Sequence, residues 1–372
     1  MKTEVEFYPA VMVGHFNKIT SNNDNPIYKF WGEGSYFQYD KLLYSFYYLQ
    51  DRYKKLSDGQ SYFDHIGYTG KRMIDSGGFQ LKTKDVKIDP IDVLNCYNRE
   101  SADVGYILDY PMSNEYNQTL IDKTYANVKV MVENKHLSPN TELLNVAHGS
   151  KISFRKKYYE QMKEFNEHLD GWAVGLIKRL PPIFVAWSFM YLYENDKTLK
   201  DKRFHFLGLT GNVTMPVIYY LAKLNLVKSI SFDSTKYGIE GIMYDMRNPS
   251  FNMERMRIGN MSTGKMDNND WCNCPVCQNN TLDDMRGDCN LVILHNMYWE
   301  CKKMDFFNSF SDAESIKSYL IESTQTDKRT MDAIKFIDCA LEQGVGVAEE
   351  KFAALLNASY AESTKSTLSQ WF

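Results

Sequence analysis

Eight short apolar or β-branched runs recur along the chain at intervals of mostly about 25 to 35 residues, and no other feature of the sequence restricts its fold so strongly. Amphipathic segments such as residues 151–169 and 217–227 lie between the runs. Alternating strands and helices form parallel β/α units, and eight such units predict a closed (β/α)8 TIM barrel. The runs are PAVMVG (9–14), KLLYSFYYL (41–49), KRMIDS (71–76), VGYILD (104–109), ELLNVAH (142–148), GWAVG (171–175), FHFLGL (204–209) and SISFD (229–233).

The length of 372 residues exceeds the roughly 250–300 residues over which one core usually extends, so we expect additions to the barrel. Residues 234–271 show neither strand alternation nor a helical stripe and predict a long loop with local structure. The expected division is a catalytic barrel core in residues 1–245, a zinc-binding subdomain in 246–310 and C-terminal helices that complete the barrel in 311–372.

Charge and hydropathy narrow the class of protein. The net charge of −4 argues against a uniformly basic nucleic-acid-binding protein, although 43 Lys and Arg residues are enough for a local basic patch. No apolar stretch is long enough to cross a membrane, and MKTEVEFYPA lacks the apolar core of a signal peptide. We therefore expect a soluble, cytoplasmic protein without a membrane partner.

Polar residues and glycines stand at or near the ends of several runs. Because the carboxyl ends of the strands share one face of a (β/α)8 barrel, these side chains would converge on one mouth. The alternative is that they only cap the helices that follow. They are Asp75, Asp109, His148, Gly175, Gly208 and Asp233.

Asp75 and Asp233 are the best candidates for a pair of carboxylates at this mouth. Such a pair suits displacement at a sugar anomeric carbon, in which one carboxylate attacks and the other transfers protons. Two glycines follow Asp75 in DSGGFQ (75–80), and glycines at this point require a tight backbone turn beside the acid.

Three cysteines, Cys272, Cys274 and Cys277, form a C-x-C-x2-C motif, and His295 follows in CNLVILHNMY. This spacing suits metal ligation better than disulfides in a reducing compartment. Zinc prefers four sulfur and nitrogen ligands, with Cys289 as an alternative fourth ligand. Four protein ligands leave no open position, so the expected cofactor is a structural Zn²⁺ ion.

DSGGFQ, the later SFDS (231–234) and the C-x-C-x2-C motif with its following histidine, in this order, resemble the tRNA-guanine transglycosylase superfamily. The resemblance extends from about residue 9 to about residue 300. It implies a (β/α)8 barrel with a zinc subdomain. It also implies an enzyme that replaces a guanine in a polynucleotide by a 7-deazaguanine without breaking the backbone.

The resemblance assigns roles to the acids. Asp233 matches the nucleophile that attacks C1′ of the target nucleotide. Asp75 matches the general acid/base that assists departure of guanine and then deprotonates the incoming base. Asp109 matches the carboxylate that accepts hydrogen bonds from the guanine-like edge, where an acid complements two adjacent donors.

Further base contacts follow from the same resemblance. Phe79 would cover one face of the base, and Leu207 falls where the family often has a methionine on the other face, although a leucine there is often only core. His148-Gly149 and Gly175-Leu176 replace a Gln-Gly motif and a double glycine, which leaves the choice of base open. The expected base-binding residues are Ser76, Gly77, Gly78, Phe79, Asp109, His148, Gly149, Gly175, Leu207 and Gly208.

The basic Leu-Pro-Thr-Arg stretch that follows the nucleophile in tRNA enzymes of this family is absent, and the chain has FDSTKYGIEGIMYDMRNPSF (232–251) instead. This pattern is similar to the DNA-modifying branch, found in phages and some bacterial genomic islands, which places 7-cyano-7-deazaguanine (preQ0) or a derivative into DNA. DNA is the expected partner and tRNA the alternative. The sequence does not define the oligomeric state, and a homodimer is one of the states that it allows. Candidate phosphate-binding residues are Lys178, Arg179, Lys236, Arg247, Arg255 and Arg257.

Three other functions compete with a DNA guanine transglycosylase. They are a divergent tRNA transglycosylase, a non-catalytic nucleic-acid-binding subunit and a hydrolytic glycosylase that releases guanine. The presence of both Asp75 and Asp233 argues against a non-catalytic subunit.

Overall fold

Eight parallel strands form a nearly closed barrel with helices around it, as the repeat of apolar runs predicts. The computed structural model describes residues 4–11, 19, 26–84, 86–112, 115–175, 180–209, 211–247, 255–258 and 272–358. The strands are β1 (Val5–Pro9), β2 (Lys41–Ser45), β3 (Lys71–Asp75), β4 (Val104–Tyr106), β5 (Glu142–Ala147), β6 (Gly171–Val174), β7 (Arg203–Phe206) and β8 (Ser229–Ser234).

The strands follow one another around the barrel in chain order. Each strand from β2 to β8 pairs in parallel with the next, and β8 pairs with β1. The barrel closes between β1 and β2, where Val11 N–H donates to the carbonyl oxygen of Leu43 at 3.1 Å. All eight carboxyl ends therefore open on one face, which we call the mouth.

Fifteen named helices are found in the described ranges, and those between the strands cover the outside of the barrel. They are α1 (Phe46–Tyr53), α2 (Tyr62–His65), α3 (Gly78–Thr83), α4 (Pro90–Arg99), α5 (Gln118–Glu133), α6 (Ile152–Met162), α7 (Pro182–Asn195), α8 (Met215–Lys223), α9 (Lys236–Ile242), α10 (Pro275–Gln278), α11 (Leu282–Gly287), α12 (Cys289–Asn308), α13 (Ala313–Glu322), α14 (Lys328–Gln343) and α15 (Val345–Lys351). Short 3-10 helices cover Pro26–Tyr28, Lys135–Leu137, Lys163–His168 and Leu199–Asp201. None of the described helices combines the length and apolar character needed to cross a bilayer.

The first strand lies earlier than predicted. The expected run 9–14 shares only Pro9 with β1, and residues 12–14 lie outside the described part of the chain. The sequence signal of β1 is weakened by Glu6, a charged residue within a largely buried strand. Glu6 pairs with Lys71 and Arg203, each at 2.6 Å, near the amino ends of the strands. The second run is also corrected, because its strand ends at Ser45 and α1 begins at the next residue.

The segment after β8 has more regular structure than the long loop that the sequence predicts. Helix α9 follows directly, and a two-stranded antiparallel sheet pairs β9 (Asp245–Arg247) with β10 (Arg255–Arg257). The C-terminal helices pack on the barrel helices. Glu349 of α15 accepts a hydrogen bond from Trp187 Nε1 at 2.7 Å and pairs with Lys156 at 2.7 Å. The division of the chain into three units stays a prediction.

Candidate functional site

Six positions that the sequence assigns to the mouth lie at the carboxyl ends of six successive strands. Asp75 ends β3, and Asp109 follows β4. His148 and Gly175 directly follow β5 and β6, and Gly208 comes shortly after β7. Asp233 is the penultimate residue of β8, so the set spans most of the rim.

Asp75 is held through one of its two carboxylate oxygens. Oδ2 accepts hydrogen bonds from Ser45 Oγ at 3.0 Å and from Gly77 N–H at 3.2 Å. Oδ1 accepts no hydrogen bond from any residue in the described ranges. Gly77 has φ of +84°, a left-handed conformation that favours glycine and accounts for the first glycine of the motif. One oxygen is therefore positioned while the other is open for proton transfer.

Loss of solvent around the carboxyl group, followed by repulsion from Asp109, raises the pKa of Asp75 to about 7. Asp233 adds to this repulsion, whereas the hydrogen bonds from Ser45 and Gly77 oppose the rise in pKa. A carboxyl group with a pKa near neutrality can both donate and accept a proton. The mouth thus contains a group suited to general acid/base catalysis.

Ser45 is a site residue that sequence reasoning missed. It lies directly opposite Asp75 in the β2–β3 ladder. Its signal is the same one that marks the other rim positions, a polar residue at the end of an apolar run. The prediction that this strand continues to residue 49 concealed that signal.

Asp109 and His148 form a buried pair one strand away from Asp75. His148 Nε2 lies 2.5 Å from Asp109 Oδ2, and the two residues are 3% and 6% exposed, respectively. Ser76 Oγ donates to the other carboxylate oxygen of Asp109 at 3.4 Å. A Cβ atom at Gly78 would lie 2.5 Å from the Asp109 carbonyl oxygen, so the second glycine permits this close approach. DSGGFQ and Asp109 therefore form one structural unit.

Asp233 is likewise held through one oxygen. Oδ1 accepts from the Gly208 N–H at 2.8 Å and lies 3.1 Å from His205 Nε2, while Ser231 Oγ lies 2.8 Å from His205 Nδ1. Burial lowers the pKa of His205, which favours the neutral ring. The network then assigns the ring proton to Nε2, facing the carboxylate. Oδ2 of Asp233 accepts no hydrogen bond from the described residues.

His205 was also missed by sequence reasoning. It lies between Phe204 and Phe206 in a fully buried strand, where the apolar neighbours suggest only core packing. Its signal is a titratable residue within the apolar run FHFLGL, one position before the end of β7.

The remaining predicted base contacts are placed around the same rim. Phe79, in the first turn of α3, is 43% exposed. Leu207 is half-buried at the end of β7. Gly149 has φ of +109°, and a Cβ atom there would lie 2.9 Å from the Arg155 backbone nitrogen. An exposed aromatic ring therefore lies at the mouth.

The predicted phosphate-binding residues differ in their burial and in their ion pairs. Arg247 is 2% exposed and pairs with Glu240 at 2.7 Å and with Glu300, so its guanidinium belongs to a buried ion-pair network. That placement argues against the phosphate contact expected from the sequence. Lys236 is half-buried, with its Nζ 3.8 Å from Glu240. Lys178 and Arg179 lie outside the described residues, as do the side chains of Arg255 and Arg257.

Cys272, Cys274, Cys277 and His295 form a buried cluster whose ligand atoms all lie within 4.8 Å of one another. His295 Nδ1 is 3.7, 3.3 and 3.1 Å from the three successive sulfurs. These separations match the roughly 3.5 Å expected between sulfur and nitrogen ligands of a tetrahedral zinc ion. His295 Nε2 lies 2.9 Å from the Arg247 carbonyl oxygen, which orients Nδ1 toward the sulfurs.

Backbone and indole N–H groups surround the sulfurs. Cys274 N–H donates to Cys272 Sγ at 3.5 Å, Cys277 N–H to Cys274 Sγ at 3.3 Å, and Trp299 Nε1–H to Cys272 Sγ at 3.3 Å. Such donors stabilise thiolates, the form that binds metal. Cys289, the alternative fourth ligand, lies outside the cluster of described ligand groups. A Cys3His set therefore fits a metal ion here.

Comparison with known proteins agrees with the motifs. No protein-family model matches the chain. A curated relative, the tRNA-guanine(15) transglycosylase of Korarchaeum cryptofilum (strain OPF8), is 23% identical over 251 residues. The match covers 63% of this chain and 39% of the relative, so the chain spans well under half of the relative's length. This distant similarity supports the resemblance to the tRNA-guanine transglycosylase superfamily.

The Cys3His cluster predicts that the purified protein holds one metal ion per chain. Cys277→Ser and His295→Ala should each weaken metal retention on the order of 100-fold or more, because each removes a ligand. Mass spectrometry of metal content after dialysis against a chelator measures this loss. Cys289→Ser is the matched control and should keep the metal, and release of metal by that variant would contradict the ligand set.

Proposed function

We propose that this protein exchanges guanine in DNA for a 7-deazaguanine, most simply 7-cyano-7-deazaguanine, through a covalent intermediate on Asp233. The observation that carries the proposal is the arrangement of Asp75, Asp109 and Asp233 around one mouth. Asp75 and Asp233 are each fixed through one oxygen, and Asp109 is close enough to Asp75 to raise its pKa. The relative of similar sequence is named as a guanine transglycosylase.

In the first half of the reaction, Asp233 Oδ2 attacks C1′ of the target nucleotide. The bond from C1′ to N9 of guanine breaks, and the departing base takes a proton from Asp75. The donors on Oδ1, Gly208 N–H and His205, orient the carboxylate so that Oδ2 is the attacking atom. The product is a glycosyl ester of Asp233 and free guanine.

In the second half, Asp75 removes the N9 proton from the incoming 7-deazaguanine. N9 then attacks C1′, the ester bond breaks, and the Asp233 carboxylate is restored. Asp75 returns to its protonated form, so the cycle is balanced in protons. A pKa of about 7 suits a group that must act as an acid and then as a base.

Asp109 is the proposed recognition group for the base. Its carboxylate would accept hydrogen bonds from N1–H and the exocyclic amine, which adenine and the pyrimidines do not present together. His148 and Ser76 hold the two carboxylate oxygens. Phe79 and Leu207 are proposed to cover the two faces of the base.

The proposed cofactor is a structural zinc ion held by Cys272, Cys274, Cys277 and His295. Zinc supplies no reaction step here, since four protein ligands would complete its coordination. His295 also bonds the Arg247 carbonyl, which follows α9 and β8 in the chain. The cluster would therefore fix the segment that continues from the nucleophile strand.

DNA is preferred over tRNA as the substrate because the basic stretch that follows the nucleophile in tRNA enzymes is missing. Residues 236–242 form helix α9, which contains one lysine and one acid. A tRNA substrate is the second candidate, since the relative is named for tRNA. Enzymes of the DNA-modifying branch act in bacterial cytoplasm, including that of phage-infected cells, and we propose the same setting.

Incubation with radiolabelled 7-cyano-7-deazaguanine and either duplex DNA or tRNA tests the proposal. We expect the label in DNA. Asp233→Asn should lower this activity at least about 1000-fold, because it removes the nucleophile. Asp51→Asn is the control and should keep wild-type activity, since the Asp51 side chain is 71% exposed. Label in tRNA alone would reject DNA as the substrate. Abasic DNA as the main product would show a hydrolase, and no reaction with either nucleic acid would reject the activity.

The raised pKa of Asp75 predicts that the rate of formation of the covalent intermediate depends on pH, with a descending limb at high pH. Because the first step needs protonated Asp75, the rate should fall above about pH 7, approaching tenfold per pH unit. Rapid-quench measurement without added base isolates this step. Ser45→Ala removes a hydrogen bond that lowers the Asp75 pKa, so the limb should move to higher pH. An unchanged limb in Asp75→Asn would contradict the assignment.

A further inference from the structure

Arg155 of α6 is a fully buried arginine beside the mouth, with 0% exposure. One terminal nitrogen donates to Ser188 Oγ, and the other donates to the Gly175 carbonyl oxygen at 3.4 Å. The guanidinium carbon lies 5.1 Å from the centre of the Phe184 ring. Nε is buried without a hydrogen-bond partner in the described part of the chain.

The charge of Arg155 is not balanced by a carboxylate among the described residues. No ion pair of these residues includes it, and residues 176–179, which follow Gly175, are Leu, Ile, Lys and Arg. Buried charges are normally paired, because loss of hydration is costly. Burial lowers the pKa of Arg155 to about 9, so the side chain remains mostly protonated at neutral pH. A buried positive charge thus lies next to the carbonyl group of Gly175.

Gly175 connects this charge to the proposed base site. A Cβ atom at Gly175 would lie 3.3 Å from His148 Nδ1, and the opposite ring nitrogen of His148 bonds Asp109. His148 Nδ1 is itself buried without a partner among the described residues. Asp109, His148 and Gly175 therefore stand side by side at the ends of β4, β5 and β6.

The order of these residues matches the order of atoms around a guanine-like base. N1 and its neighbouring amine would face Asp109, O6 comes next, and the substituent on C7 lies beyond O6. The C7 substituent then points to Gly175. An ammonium group there would be a second cation beside the carbonyl oxygen that accepts from Arg155.

We infer that Arg155 is a positioning residue that sets specificity for the 7-substituent. It donates to the Gly175 carbonyl and places behind it a positive charge that no carboxylate of the described residues balances. The site then takes 7-deazaguanines whose substituent is an uncharged or anionic hydrogen-bond acceptor, such as a nitrile, and rejects a cationic aminomethyl group. This inference rests on the proposed function and specifies the class of base.

Titration calorimetry of the full chain with 7-cyano- and 7-aminomethyl-7-deazaguanine, without nucleic acid, tests the inference. The wild type should bind the cyano base at least about tenfold more tightly, as expected for a like charge nearby. Arg155→Met should reduce this ratio about tenfold, because it removes both the charge and the donors. Arg155→Gln should also reduce it, since the charge is lost while an amide donor is kept.

Two matched variants retain the positive charge. Arg155→Lys and Ser188→Ala should keep most of the wild-type preference, and thermal unfolding checks that every variant is folded. A wild-type ratio retained in folded Arg155→Met or Arg155→Gln would overturn the inference. A wild-type preference for the aminomethyl base would overturn it even if both variants failed to fold.

The same titration separates this inference from the proposed function. A wild-type protein that binds neither base would reject base exchange and the inference with it. Binding of both bases with no effect of charge at residue 155 would reject only the role of Arg155.

Discussion

Three carboxyl groups share one desolvated mouth, and the arrangement of the site follows from the cost of placing them there. Two ionised carboxylates in such a space repel each other, and burial raises the cost of each charge. Asp233 is supported by Gly208 N–H and His205, and Asp109 by His148 and Ser76. Asp75 accepts from Ser45 and Gly77, but burial and then repulsion from Asp109 outweigh these donors and raise its pKa to about 7. Burial, with repulsion from the neighbouring acids added to it, thus gives the mouth a carboxyl group that can gain and lose a proton near neutral pH.

The barrel makes this separation possible because it brings residues far apart in the chain to one rim. The donors to each acid come from the same strand end or an adjacent one, as with Ser45 opposite Asp75. Gly77 and Gly208 adopt positive φ and direct their N–H groups to Asp75 and Asp233, while Gly78 leaves room for Asp109. The buried Cys3His cluster belongs to the segment that follows β8, and His295 connects it to the end of β9 through the Arg247 carbonyl oxygen.

Local signals were sufficient to predict the barrel and the rim acids. Strand and helix periodicity lies within short windows, and the DSGGFQ and SFDS motifs lie at strand ends. The predicted location of β1 was wrong because a charged residue, Glu6, lies within the strand. Glu6 is stabilised there by Lys71 and Arg203, which are 65 and 197 residues away in sequence. Ser45, His205 and Arg155 were missed for a similar reason, since each acquires its role through a residue 20 or more positions distant.

For Arg247 the sequence predicted a functional role that the structure argues against. In sequence it is a basic residue that follows Asp233, which predicts a phosphate contact, but in the structure it is buried in an ion-pair network with Glu240 and Glu300. Charge patterns in sequence do not separate a solvated cation from one that is paired in the interior. Only tertiary structure supplies the partner.

The central claim is that Asp233 forms the covalent bond to the sugar, and peptide mapping of the trapped intermediate tests it most directly. Trypsin cleavage after Lys228 and Lys236 releases SISFDSTK, in which Asp233 is the only acid, and cleavage after Arg72 and Lys82 releases MIDSGGFQLK, which contains Asp75 alone. After incubation with guanine-containing DNA, denaturation and digestion with nuclease and trypsin, mass spectrometry should find the deoxyribosyl adduct on the first peptide. An adduct on the second peptide, or base exchange without any adduct, would contradict the account.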